Sequence, residues 1–330
     1  TGILTSIGTI ATGSYPRGIA VSADGASAYV ANITSNTVSM YSRNTSTGAL
    51  TALSPATIAT EVQPYEIAVS ADGTSAYVGN SSSFTVSMYS RNTGTGALTA
   101  LSPATIATDN WPRSIIISSD GTSVYTGNHG SATISMFSRN TSTGALTALS
   151  PASIAAISGG IRGITISASG TSVYATNSTS DTISMYIRNT STGALTANGT
   201  IATGVLPRGI TISANGASVY VANNTSNTIS MYSRNTSTGA LTALSPATIA
   251  AGTQPYSITI SADGSTSVYV TNAGGNTISM YSRDTSTGAL TALSPATIST
   301  GNLPEGIAIS ASGTSVYATN GAGNTISMYS

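Results

Sequence analysis

Most of the chemistry this sequence can offer sits in seven residues that each follow a recurring proline, or the isoleucine that replaces it once. They are Arg17, Tyr65, Arg113, Arg162, Arg208, Tyr256 and Glu305. Four guanidinium groups in one set can hold a carboxylate or phosphate through charge-assisted hydrogen bonds. The two tyrosines, with Trp111 just before Arg113, offer faces on which a sugar ring can stack. His129, the only histidine, forms a second cluster with Trp111 and Asp109, and an imidazole is a candidate general base near neutral pH. No nucleophile and no metal-ligand spacing accompanies it, so no catalytic residue, metal or cofactor is expected. A further set, Arg43, Arg91, Arg139, Arg188, Arg234 and Arg283, recurs too regularly to be a site. Its expected work is structural, bonding loop carbonyls or pairing with Asp24, Asp72, Asp120 and Asp263.

The elements that must position these residues follow from an internal repeat. The methionines fall at Met40, Met88, Met136, Met185, Met231, Met280 and Met328, with Tyr29, Tyr77, Tyr125, Tyr174, Tyr220, Tyr269 and Tyr317 in step with them. Each copy of roughly 48 residues divides into four strand-length pieces. In the fifth copy these are GITIS, ASVYVAN, NTISMYS and ALTALSPATIA, separated by an Asn-Gly turn and the polar loop RNTSTG. β-Branched and aromatic residues dominate the pieces, and no helical period competes. The expected fold is all-β, a single domain over residues 1–330, forming a seven-bladed β-propeller with four antiparallel strands per blade. Residues 1–13 match a fourth strand, so Ile3, Leu4, Ile7 and Ile10 are expected to complete the last blade, in their own ring or in a neighbour's.

Comparing the copies with one another separates two faces. The turns after the first strand (SADG or SASG) and the loops after the third (RNTSTGAL) barely change, whereas the loops before the first strand and after the second differ from copy to copy. An asymmetric ligand needs a site that breaks the sevenfold pattern, so the variable face, with Trp111 and His129, is the candidate ligand-binding face.

Only 6% of residues are charged, with ten arginines, no lysine and a formal net charge of zero. That balance lacks the basic footprint of nucleic-acid binding and lowers the barrier to self-association. No apolar run is long enough for a transmembrane helix, and without cysteine there are no disulfides. Sequons stand at Asn32, Asn44, Asn80, Asn140, Asn177, Asn189, Asn198, Asn223, Asn224 and Asn235, mostly in expected turns. This Ser/Thr/Asn-rich, lysine-free composition points to an extracellular or cell-surface setting.

The segments PRGIAVSADGASAYVAN (Pro16–Asn32) and PRGITISANGASVYVANNTSNTISMYSRNTSTGALTAL (Pro207–Leu244), with YVTN itself at Tyr269–Asn272, resemble two related groups. These are the YVTN-type β-propeller repeats of surface proteins and the lactonase-like propellers that include 6-phosphogluconolactonase. The resemblance spans all seven copies. It implies the same fold and, for the enzymes, His, Arg and Glu side chains at the channel mouth; no such triad maps residue by residue onto this chain. The leading expectation is therefore a non-enzymatic structural or interaction protein whose partner is itself, assembled by exchange of the N-terminal strand. The alternatives are a module binding surface glycans or anions on the variable face, and a lactonase-like hydrolase.

Overall fold

A computed structural model describes residues 2–261 and 266–330 of the chain. Every regular element among them is a strand. After β1 (Ser6–Ala11), blade 1 is built from β2 (Pro16–Val21), β3 (Ser27–Asn32), β4 (Thr37–Arg43) and β5 (Leu50–Ala59), hydrogen-bonded in that order. Five further blades repeat this antiparallel meander. The seventh consists of Pro304–Ile309, Val316–Asn320 and Thr325–Tyr329, and β1 is its fourth strand. The expected propeller is thus present, with the N-terminal strand in its own ring. Backbone bonds between Thr5 and Ser330, 2.9 Å in each direction, fasten the seam.

Burial explains why each sequence piece becomes a particular strand. The second strand of every blade is buried along its whole length, which suits its Ala-Tyr-Val or Val-Tyr-Val content. The long fourth strand is mostly exposed and carries the Ser and Thr residues. The core lies between blades. Tyr29, Ala31, Val38 and Met40 of blade 1 meet Ile67, Ala76, Val78, Tyr89 and Leu98 of blade 2, and equivalent clusters follow around the ring. Within the closing segment only two of the four expected residues pack. Leu4 is buried against Met280 and Tyr329, and Ile10 lies against the cluster of Ile326 and Met328. Ile3 and Ile7 are exposed, the latter at a register shift between Ser6 and Gly8.

The tyrosine column is more than apolar filling. Tyr29 donates its hydroxyl to the Gly96 carbonyl of the next blade (2.6 Å) and accepts from Arg91 Nε (2.7 Å). The structural arginines are buried in these seams, where Arg91 also donates to Gly73 O and pairs with Asp24. Arg139 pairs with Asp72 and Arg188 with Asp120, while Asp263 lies outside the described residues.

Burial also corrects two expectations about asparagine. Asn32, Asn80, Asn177 and Asn223 are wholly buried, and Asn32 Nδ2 donates to Thr37 and Ser39 of the following strand rather than capping an exposed turn. Asn224 is buried as well, donating to Pro255 O. An amide so enclosed cannot be reached for glycosylation in the folded protein. Of the sequons, Asn44, Asn140, Asn189 and Asn235 are exposed and Asn198 is half-buried.

Candidate active site in the channel mouth

The loop before the first strand and the loop after the second lie together on one face, as shown by the bond from Ile33 N–H to the Tyr15 carbonyl (2.9 Å). From that face each inner strand descends into the central channel. Just inside, the pairing of first and second strands slips, between Pro16 and Ile19 in blade 1 and at the corresponding place in every other blade. A bulge re-aims the side chains it contains. The residues it contains here are those that follow the proline.

Arg17, Tyr65, Arg113, Arg162, Arg208, Tyr256 and Glu305 accordingly line two adjoining chambers of a hollow. The backbone of three of them is held by a threonine of the neighbouring blade. Thr319 Oγ1 donates to Arg17 O (2.7 Å), Thr176 Oγ1 to Arg208 O (2.7 Å) and Thr271 Oγ1 to Glu305 O (2.9 Å). Above the ring an outer chamber of about 350 Å³ is walled by Tyr15, Asn224, Gln254 and Leu303. Below it an inner chamber of about 190 Å³ is walled by Glu66, Ser114 and the glycines and isoleucines that come next along the inner strands.

A bar of aromatic and cationic groups divides the two. The hydroxyls of Tyr65 and Tyr256 are 3.0 Å apart. The Arg17 guanidinium lies 3.7 Å from the Tyr65 ring centre and 4.9 Å from that of Tyr256, within cation–π range of both. Arg17 Nε stands 3.2 Å from Glu305 Oε2, an ion pair without hydrogen-bond alignment. The Nε atoms of Arg17, Arg113, Arg162 and Arg208 are buried and have no hydrogen-bond partner among the described residues, and the same holds for Ser114 Oγ. Buried polar atoms are ordinarily satisfied, so this concentration at one place marks a site built for a polar ligand.

Glu66 is the residue that sequence reasoning passed over. Its column reads Gly18, Glu66, Ser114, Gly163, Gly209, Ser257 and Gly306, so one carboxylate replaces a uniformly small set. The bare Gly18 makes room for it: a β-carbon there would stand 2.8 Å from Glu66 Oε1. Glu66 is half-buried in the wall of the inner chamber, and its desolvation there pushes its carboxyl up to about 7 against the opposing pull of Arg17. Burial also raises Glu305, although Arg17, Arg208 and Arg162 draw it back. Arg208 falls to about 10, first through burial and then through Arg162. Four arginines against two reluctant carboxylates leave the hollow positive, suited to an anionic ligand.

His129 and Trp111 stand apart from this hollow. Their rings stack at 6.2 Å, and His129 Nε2 lies 3.4 Å from Ser178 Oγ against Gly160. Neither lines the chambers. Burial, then the charges of Arg162, Arg113 and Arg208, lower His129 to about 4 and keep it neutral. Trp111 is the reachable member, nearly half exposed on the rim with Arg113 5.8 Å from its ring. No group of three His, Cys, Asp or Glu residues among the described ones could hold a metal ion.

A ring of seven four-stranded blades is the architecture of the lactonase propellers. The chain belongs to the Lactonase, 7-bladed beta-propeller family, whose model matches residues 1–58, 51–158, 154–254 and 242–330. In fold it is similar to a proposed 6-phosphogluconolactonase of Bacteroides fragilis (TM-score 0.77, 21% identity, 88% of this chain and 86% of that one). It is similar also to the periplasmic gluconolactonase of Pseudomonas aeruginosa (0.72, 18%, 88% and 86%) and to hydrazine synthase of Kuenenia stuttgartiensis (0.71, 19%, 95% and 95%). No functionally curated protein matches the sequence. Family membership overturns the expectation of a non-enzymatic structural protein. The strand needed to chain subunits is, moreover, already engaged in its own ring.

Proposed function

We propose that this protein hydrolyses a sugar lactone bearing an anionic group, with the chemistry in the channel mouth. The observation that carries this reading is a chamber lined by four arginines, their buried Nε atoms unpartnered, together with Glu66, the one carboxylate in a column of small residues. Family membership supports it, and the lactonases of similar fold suggest gluconolactone or its 6-phosphate as first substrates.

A carboxyl held near 7 is about half ionised at neutral pH, which suits a general base. Glu66 takes a proton from water as the water oxygen attacks the lactone carbonyl carbon. The carbonyl electrons move onto oxygen, and guanidinium N–H groups of the cage stabilise the oxyanion. Collapse breaks the ring C–O bond, and the leaving alkoxide takes the proton back from Glu66. The product is the open hydroxy acid, which at neutral pH loses one proton to solvent as the carboxylate. Arginines not engaged at the oxyanion hold the substrate's own anionic group.

The test is base uptake in a pH-stat with gluconolactone and its 6-phosphate. Glu66→Gln is expected to lower kcat at least about 100-fold with KM changed only a few-fold, in line with loss of a general base. Unchanged turnover in this variant overturns the assignment. A protein that binds both lactone and hydroxy acid without accelerating ring opening is a binding module and not a hydrolase.

A further inference from the structure

On the face opposite the channel mouth, the arginine ending the third strand of each of blades 1 to 6 reaches to the turn of the preceding blade. Three such seams are closed by a carboxylate: Arg91 to Asp24 at 3.0 Å, Arg139 to Asp72 at 2.9 Å and Arg188 to Asp120 at 2.9 Å. Between blades 4 and 5 the pattern breaks, as it does between blades 7 and 1, where Ser312 holds the aspartate position at the Arg43 seam. In blade 4 the turn is Ser167-Ala168-Ser169-Gly170, so Ser169 stands where those three turns carry aspartate. Arg234 nonetheless stays as buried as its counterparts. It donates Nε to Tyr174 Oη (2.6 Å), Nη1 to Gly216 O (3.1 Å) and Nη2 to Ser172 Oγ (2.9 Å), which uses three of its five N–H groups. No carboxylate pairs with it among the described residues.

Beside this guanidinium lies a cavity of about 100 Å³, lined by Ser167, Ser169, Asn215, Gly216, Thr236 and Arg234 itself. We propose that this cavity binds a small monovalent anion, a halide or a formate-sized carboxylate, in the place that an aspartate side chain takes in blades 1 to 3. A buried arginine does not shed its proton, and leaving it without a counter-charge is costly. The two unused N–H groups, the serine and threonine hydroxyls and the Asn215 amide supply donors of the kind such an anion needs. The volume exceeds the ~30 Å³ share of one water molecule and so holds a single small ion. The neighbouring seam shows a milder solution, for Arg283 reaches the Asn215 Oδ1 at 3.3 Å. The proposal is independent of the lactone chemistry, because the cavity is on the other face.

Crystals soaked in sodium bromide are expected to show an anomalous peak at Arg234, and crystals in sodium formate a flat density at the same point. Thermal midpoints would be measured in both salts, with ionic strength held constant by a bulkier anion. Each curve is expected to rise by a few degrees and saturate, and the tighter of the two identifies the ligand source. Ser169→Asp supplies the carboxylate in cis, in a turn that accepts aspartate in three sister blades. It is expected to be more stable than the parent at low salt and to lose the peak at Arg234. Its salt response should shrink, while Ser312→Asp at the Arg43 seam leaves the Arg234 peak in place. Ser169→Asn, a copy of Asn215, is the second variant should the first fold poorly, and it too should weaken the peak. Absence of the peak in the parent, or its survival in Ser169→Asp, overturns the proposal. A peak in the crystal with no saturable rise in solution means an adventitious ion only, and overturns it as well.

Discussion

At the scale of single residues, Glu66 carries two opposed consequences. Its folded value is raised above the unfolded one, so its ionisation is disfavoured by folding. The stability linked to it is complete below the unfolded carboxyl range and is lost as pH rises through about 7. Glu66→Gln should therefore melt a few degrees higher than the parent at pH 8, with the difference vanishing near pH 4.5, as read by calorimetry at both values. Activity should run the other way, rising with an apparent value near 7 in kcat/KM, since the base works ionised. A variant that gains stability exactly where it loses turnover is the pattern expected of a group kept for chemistry. His129 titrates in the opposite sense, for its folded value is lowered to about 4 and its contribution is lost as pH falls. His129→Ala should leave kcat within about tenfold, because the ring does not line the chambers. The sequence offered His129 as the eye-catching residue because it is unique by type. Glu66 was legible only by aligning the copies two positions past the proline, where a single acid interrupts Gly and Ser.

Among elements, the inner-strand bulge and the threonine behind it position the site. Thr176→Val would delete the bond to the Arg208 carbonyl while keeping a side chain of similar shape. If Arg208 is among the arginines that hold the substrate's anionic group, as proposed, KM should rise about threefold to tenfold with kcat little changed, measured with the anionic lactone. The strands themselves were readable from the copies, down to the Asn-Gly and Asp-Gly turns, because alternation and turn residues repeat seven times. The bulge was not, since a slipped register leaves no mark in residue type. Nor was the burial of Asn32, Asn80, Asn177 and Asn223, which looked like turn residues next to a polar loop. Their Nδ2 groups bond to the Thr and Ser two rungs down the next strand, a pairing visible only once the hairpin is closed.

For the whole molecule, stability rests on seams between near-identical blades, and the last seam depends on Leu4. Leu4→Ala should cost about 2–5 kcal/mol, the range for truncating a buried leucine, and lower the thermal midpoint accordingly. Ile3→Ala should be close to neutral, since that side chain is exposed. Acid should open the seams on the other face. Against the opposing effect of burial, Ser70 and Thr74, with a smaller share from Arg139, hold Asp72 well below the usual carboxylate range, and Ser118, Thr122 and Arg188 do the same for Asp120. Because these folded values are depressed, the clasp contributes fully above the unfolded range near 4 and is lost as pH falls below it. The midpoint of Asp72→Asn relative to the parent should thus be lower at pH 7, and the gap should narrow steadily as pH falls below about 4.

The two faces of the ring have separate duties. Tyrosine, arginine and aspartate join blades on one side, while the bulge residues crown the channel on the other. Few contacts needed by the first are shared with the second. Exchanging the residue after each proline, or the one beyond it, therefore rewrites what the well recognises and leaves the fastening intact. In evolutionary terms the molecule is a mould with an interchangeable floor. The repeat supplies seven equivalent sockets, and a single acid, Glu66, among small residues gives one of them unlike contents.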